Sequence, residues 1–175
     1  AFTSLQELYV SDNLVRTLEG VNRLESLMQL NLQNNELSGD IPSLNMPKLR
    51  YIDLSHNKIT CLNEFANSLF PNLLQLDISH NHIEELPIFR ESVLEVYNFS
   101  HNHIKILDQG KTSMPELTHI YGSHNEIAGV MTLALSKRVK VIILKCLESS
   151  FIPTGSMQIF HERETPKPIM GIWTG

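Results

Sequence analysis

Leu49-Arg50-Tyr51-Ile52-Asp53-Leu54-Ser55-His56-Asn57-Lys58-Ile59 is the stretch that decides the fold. Its apolar framework stands at positions −8, −5, −3 and +2 relative to Asn57. Residues two apart in an extended segment share a face, so Ile52 and Leu54 point inward from a short strand while Tyr51 and Asp53 point outward. Leu49 and Ile59 carry the chain into and out of that strand. Asn57 falls at the bend, where its amide can pair with backbone groups that the bend leaves without partners.

The same frame recurs around Asn13, Asn35, Asn57, Asn81, Asn102 and Asn125, at intervals of 22, 22, 24, 21 and 23 residues. Leu5, Leu8, Val10 and Val15 open the series, and Leu27, Leu30, Leu32 and Leu37 follow. After the central turn come Leu73, Leu76, Ile78 and Ile83, then Leu94, Tyr97, Phe99 and Ile104, then Leu117, Ile120, Gly122 and Ile127. Gly122 is the clear lapse. One turn cannot bury its own apolar side, so a chain of this kind is stabilised by stacking each turn on the next. Pro47, Pro71 and Pro115 each fall ten residues before their asparagine, where a fixed φ stops the connecting segment from running into the strand. The connections are predicted to be irregular, with one or two helical turns at 62–70 and extended or 3-10 backbone at 38–47.

The pattern fades after Asn125. Segment 139–146 offers a seventh strand in two registers. One turns Val141 and Ile143 inward and sets Cys146 at the asparagine position; the other turns Ile142 and Leu144 inward and loses the cysteine. Residues 1–146 read as one repeat array, and 147–175, which hold Pro153, Pro166, Pro168 and Trp173, as a capping segment or the start of a following region. Leu5 enters a repeat almost at once, and four residues cannot shield the end of a stack, so the chain is expected to be part of a longer polypeptide.

The 175 residues carry a net charge of −5, concentrated in residues 1–100, with 13 acidic against 6 basic side chains. That balance suits a basic partner protein and lacks the cationic stripe needed to bind a phosphate backbone, so no nucleic acid is expected. The longest aliphatic run, Val141 to Leu144, is far too short to span a membrane. Two lone cysteines, Cys61 and Cys146, form no disulfide cluster and fit a reducing compartment, either cytoplasm or nucleus.

Side chains at −6 and −4 from each asparagine form the outward rows of the strands. The −6 row reads Glu7, Gln29, Tyr51, Gln75, Val96, His119; the −4 row reads Tyr9, Asn31, Asp53, Asp77, Asn98, Tyr121. Tyrosine gives rigid contact area at low entropic cost, so Tyr9, Tyr51, Asp53, Gln75, Asp77, Asn98, His119 and Tyr121 are the candidate partner-binding residues. At −2 and −1, Ser55-His56, Ser79-His80, Ser100-His101 and Ser123-His124 write a serine ladder beside a histidine ladder, with His82 and His103 just past their asparagines. Neutral histidine fits such a turn; metal binding and pH sensing are the rarer uses. Serine next to histidine, with no orienting acid or oxyanion donor, does not make a hydrolase. No Gly-rich phosphate loop or metal-ligand motif occurs, so neither catalytic residue, metal nor cofactor is expected. Asn98-Phe99-Ser100 matches a glycosylation sequon, but Phe99 belongs to the core frame.

The frame L-x-x-L-x-L-x-x-N-x-L resembles the leucine-rich-repeat superfamily over residues 5–127, with a weaker echo to 146. The resemblance implies an α/β solenoid, a horseshoe of about six to seven repeats. A short parallel β-sheet would line the concave face, with irregular, 3-10 or short helical convex segments. Within it, Val15-x-x-Leu18-Glu19-Gly20-Val21-x-x-Leu24-x-x-Leu27 is similar to the short 22-residue subtype typified by the nuclear regulatory subunit of protein phosphatase 1, although the intervals of 24 and 23 depart from a strict 22. That likeness implies an intracellular, non-catalytic scaffold, targeting module or regulatory subunit that binds a protein on the concave face. Leu37-Ser38-Gly39-Asp40-Ile41-Pro42 resembles, once, a signature of plant receptor ectodomains, which implies recognition of an extracellular ligand instead. A regulatory repeat region of a larger multidomain enzyme is the third alternative.

Overall fold

A computed structural model describes residues 2–87, 89, 93–108, 114–127, 129–132, 138 and 140–144. The strands, in chain order, are β1 (Glu7–Tyr9), β2 (Gln29–Asn31), β3 (Ser38–Asp40), β4 (Tyr51–Asp53), β5 (Lys58–Cys61), β6 (Gln75–Asp77), β7 (Val96–Asn98), β8 (Ile106–Asp108), β9 (His119–Gly122), β10 (Gly129–Thr132) and β11 (Val141–Leu144). Among the described residues, β1-β2-β4-β6-β7-β9-β11 form one parallel sheet, each strand one turn on from the last. Register is strict. Tyr51 pairs with Gln29 and Gln75, and Asp53 with Asn31 and Asp77.

The repeat frame produces this arrangement directly. The residues at −5 and −3 are buried from the second repeat to the sixth, Ile52, Leu54 and Ile78 being essentially inaccessible, and they merge with the −8 and +2 residues into one continuous core. In the first repeat Leu5, Leu8, Val10 and Val15 are only partly buried, since no preceding turn covers them among the described residues. Strands β4, β6 and β9 are each entered through a turn closed by the N–H of the −8 leucine, Leu49 to Met46 (3.1 Å), Leu73 to Phe70 (3.3 Å) and Leu117 to Met114 (3.2 Å). Pro47, Pro71 and Pro115 occupy the second place of these turns, where proline's fixed φ suits the backbone.

The convex side contains less helix than an α/β label suggests. Among the described residues only two short 3-10 helices occur, Val21–Arg23 and Phe65–Asn67. Segment 62–70 makes a single 3-10 turn that buries Phe65. Gly20 precedes the first helix at φ 84°, a left-handed conformation in which a Cβ would be strained. Part of the convex side is extended instead: β3 pairs with β5 and β8 with β10, in parallel. Strand β11 adds to β9 with Ile142 opposite Ile120 and Leu144 opposite Gly122. Of the two registers open to the sequence, this is the one that aligns Ile142 and Leu144 with the inward positions of β9. Cys146 itself and residues 147–175 lie outside the described residues.

Tyr97 stands at a core position where its neighbours carry leucine or isoleucine. Its ring meets Phe99 and Phe89 with centroids 5.2 and 6.1 Å away, and its buried hydroxyl has no hydrogen-bond partner among the described residues. An orphaned buried hydroxyl is unfavourable, so Tyr97→Phe should raise stability by about 1 kcal/mol, read as a higher midpoint in thermal unfolding. A lower midpoint would mean that the hydroxyl does have a partner.

Candidate functional site

The site candidates rest on the backbone ladder described above. Each ladder asparagine ties two turns together. Asn57 Nδ2 donates to Leu32 O (3.0 Å) on the preceding turn and to Leu54 O and Ser55 O on its own, while its Oδ1 accepts from Leu37 N–H (3.0 Å). Asn35, Asn81, Asn102 and Asn125 repeat the pattern and are buried, with Val15, Ile59, Ile83 and Ile104 as the N–H donors. Asn125 holds the Gly122 carbonyl, so the lapse at 122 removes a side chain without breaking the ladder. Asn13 is exposed and reaches only Val10 O and Ser11 O of its own turn.

The two outward rows then part company. In the −6 row, Gln29, Tyr51, Gln75, Val96 and His119 are half-buried and stand in register on consecutive strands. In the −4 row the four Asn and Asp side chains turn back onto their own backbone. Asn31 Oδ1 accepts from Gln33 N–H (2.9 Å), Asp53 from Ser55 N–H (2.8 Å), Asp77 from Ser79 N–H (2.9 Å) and Asn98 from Ser100 N–H (3.1 Å). These are Asx turns, which relieve the backbone as the strand ends. Asp77 also accepts from Ser79 Oγ (2.6 Å) and Asn98 Nδ2 (2.8 Å).

The consequence is electrostatic. Asp53 is 7% exposed and directly opposite Asp77 on the next strand. Burial, followed by the neighbouring Asp77 charge, pushes the Asp53 carboxyl up to about 6. Burial likewise raises Asp77 against the pull of its hydrogen bonds from Ser79 and Asn98. Of the aromatic candidates, Tyr51 stands on an inner strand, Tyr9 at one end of the sheet, and His119 and Tyr121 towards the other. Tyr9 is exposed, its hydroxyl 2.8 Å from Gln29 Oε1 and 3.3 Å from Glu7 Oε2. His119 and Tyr121 stack at 6.4 Å, and Thr118 Oγ1 lies 2.8 Å from His119 Nδ1. Burial and then Lys140 lower the His119 pKa, with Glu95 opposing.

The histidine ladder is a physical stack. His56, His80, His101 and His124 face one another at 4.0 Å, with ring planes within 12°. The parallel rings set their nitrogens side by side, and among the described residues no group of three or more His, Cys, Asp or Glu side chains is arranged to hold a metal ion. Among the same residues no helix is long and apolar enough to cross a membrane, and Cys61 is a free, partly exposed thiol. What the arrangement offers is a rigid, side-chain-lined surface of graded polarity.

Comparison with known proteins agrees with this geometry. A family model for leucine-rich repeats in two copies matches residues 25–67, and a single-repeat model matches 71–84. No curated protein matches the chain. Among solved structures, internalin C2 of Listeria monocytogenes is similar over 85% of this chain and 76% of its own, at 19% identity and a TM-score of 0.55. The functional domain of InlJ from the same organism, described as including a cysteine ladder, is similar over 82% of this chain and 35% of its own, at 20% identity and a TM-score of 0.54. Internalin InlF of Listeria monocytogenes is similar over 87% and 49% respectively, at 15% identity and a TM-score of 0.53. The chain thus spans about half or less of the second and third structures. At these identities the likeness is one of fold: a leucine-rich-repeat horseshoe with little helix, a scaffold commonly used for protein–protein interaction.

Proposed function

We propose that the chain is a non-catalytic interaction module that holds a partner protein on the concave sheet. The observation that carries this reading is the −6 row. Gln29, Tyr51, Gln75, Val96 and His119 stand in register on five adjacent strands, half-exposed, on a backbone fixed by strand pairing and the asparagine ladder. A surface fixed in this way loses little entropy when a partner docks. Tyr51 and Gln75 make the central contacts in this reading, with Tyr9 towards one end and His119 and Tyr121 towards the other. Asp53, Asp77 and Asn98 lend charge and hydrogen bonds from just beneath. The acidic excess of residues 1–100 favours a basic partner. An intracellular setting, as in the short 22-residue subtype, accords with Cys61 being a free thiol.

Tyr51→Ala combined with Gln75→Arg tests this without touching the buried carboxylates. Both positions are half-buried, so the fold should survive, which thermal unfolding checks directly. In affinity capture read by mass spectrometry, the partner held by the parent chain should be lost from the variant. Its titrated affinity should fall by about tenfold or more, the equivalent of about 1.4 kcal/mol. An identical catch with both proteins would place binding elsewhere than the concave face.

A further inference from the structure

We propose that the stacked imidazoles of His56, His80, His101 and His124 form an acid-responsive strip along one rim of the sheet, packed while neutral and forced apart as it gains protons. The backbone does not itself ask for histidine here. All six −1 positions adopt left-handed backbone, from φ 52° at Asn34 to φ 58° at Asp12. Asp12 and Asn34 fill the first two, joined by a 2.6 Å hydrogen bond, and both types tolerate that conformation. Asparagine would therefore satisfy the remaining four positions. Four consecutive histidines add something that the turn does not require.

What they add is coupling. The spacing is set by the ladder, because His56 N–H donates to Ser79 O (3.0 Å), His80 N–H to Ser100 O (2.9 Å) and His101 N–H to Ser123 O (2.8 Å). With Cα positions fixed in this way, rings at 4.0 Å cannot slide apart without leaving their rotamers. A proton on one ring then opposes a proton on the next, face to face, and His80 has a ring on either side. Burial first, then His56, His101 and His124, push His80 down to about 4. Among the described residues, Asp53 is a carboxylate that acts on the stack, at the His56 end. The second imidazole pair behaves differently: His82 and His103 lie 5.8 Å apart, and His103 Nδ1 is 2.9 Å from Glu126, which would compensate a charge there.

The sign follows from linkage. With the folded pKa of His80 below its unfolded value of 6.5, the unfolded chain binds more protons between about 6.5 and about 4. The stack's contribution is therefore intact above 6.5 and is lost as pH falls through that window. The strip lies three residues beyond the −4 row on every turn, so a ligand on the sheet would sense its opening, although the proposal stands whether or not the concave face binds a protein.

An NMR titration of the histidine Hε1 resonances from pH 8 to pH 4 tests the strip on the chain as it is, beside His101→Asn and, as a control, His82→Asn. His80 should remain neutral below pH 5. His101→Asn should raise the His80 midpoint by half a unit or more, about threefold in proton affinity, whereas His82→Asn should leave it in place. Thermal unfolding of His101→Asn at pH 7 verifies that the rim still folds, and His56→Asn, which should likewise raise the His80 midpoint, gives an independent second variant. A His80 midpoint near 6.5, indifferent to either substitution, would overturn the proposal.

Discussion

Asn57→Ala should lower the stability of the chain by about 3 kcal/mol, whereas Asn13→Ala should cost about 0.5 kcal/mol or less. Both substitutions remove the same atoms from the same place in the repeat. Asn57, however, is buried and closes four hydrogen bonds, two of them to Leu32 O and Leu37 N–H on the preceding turn. Alanine leaves those groups unpaired inside the stack, each at a cost of about 1–3 kcal/mol before any water enters. Asn13 is exposed and bridges nothing, so solvent replaces its two bonds. Asn57→Asp separates the two halves of the amide. It keeps the acceptor for Leu37 N–H but replaces the donor to Leu32 O, Leu54 O and Ser55 O with a buried negative charge, and should be at least as costly as alanine. Urea unfolding followed by circular dichroism measures all three. Equal losses for Asn57→Ala and Asn13→Ala would refute the bridging role, because local turn propensity would then account for both.

The contrast shows what can be read from the sequence and what cannot. The frame at −8, −5, −3 and +2 is legible because a repeated apolar spacing has one economical solution, and the strands at Gln29–Asn31, Tyr51–Asp53 and Gln75–Asp77 fall where that spacing puts them. The outward rows are legible only as outward. Alternation says that Asp53 leaves the core; it does not say that the side chain then curls back to the Ser55 N–H and becomes buried. The signal was present, since Asn31, Asp53, Asp77 and Asn98 are four successive Asx residues at one position, the types that bond their own backbone two residues on. The left-handed backbone beneath His56 and His80 had a fainter sign, in Asp12 and Asn34 at the same place. The convex pairing of β3 with β5 had none, because a three-residue strand with no alternation to follow is set by its neighbours alone. The register of β11 required the strand beside it for the same reason.

Asp53→Asn should stabilise the chain by about 1–2 kcal/mol at pH 7.5, and the gain should vanish as pH approaches 4. Asparagine already occupies the same position at Asn31 and Asn98, where Oδ1 accepts the N–H two residues on at 2.9 and 3.1 Å. The Asx turn therefore survives the change, and what is lost is a buried charge opposite Asp77. Asp53 titrates at about 6 in the folded chain against 3.8 unfolded, so its contribution is fully present below about 4 and is lost as pH rises through about 6. A shift of that size corresponds to at most about 3 kcal/mol, with the hydrogen bonds from Ser55 already reflected in it. The rest of the histidine strip is common to parent and variant, so unfolding midpoints compared at each pH report the carboxylate together with its coupling to His56. A gain that stayed constant from pH 4 to pH 8 would mean that Asp53 carries no raised pKa. A carboxylate that weakens the fold at neutral pH while asparagine stands ready at neighbouring turns is what a cation-seeking surface would keep, since stability and binding pull such a residue in opposite directions. On that reading Asp53→Asn should gain stability and lose affinity for a basic partner together. A variant that gained stability and bound equally well would leave the concave face its −6 row and remove charge from its recognition.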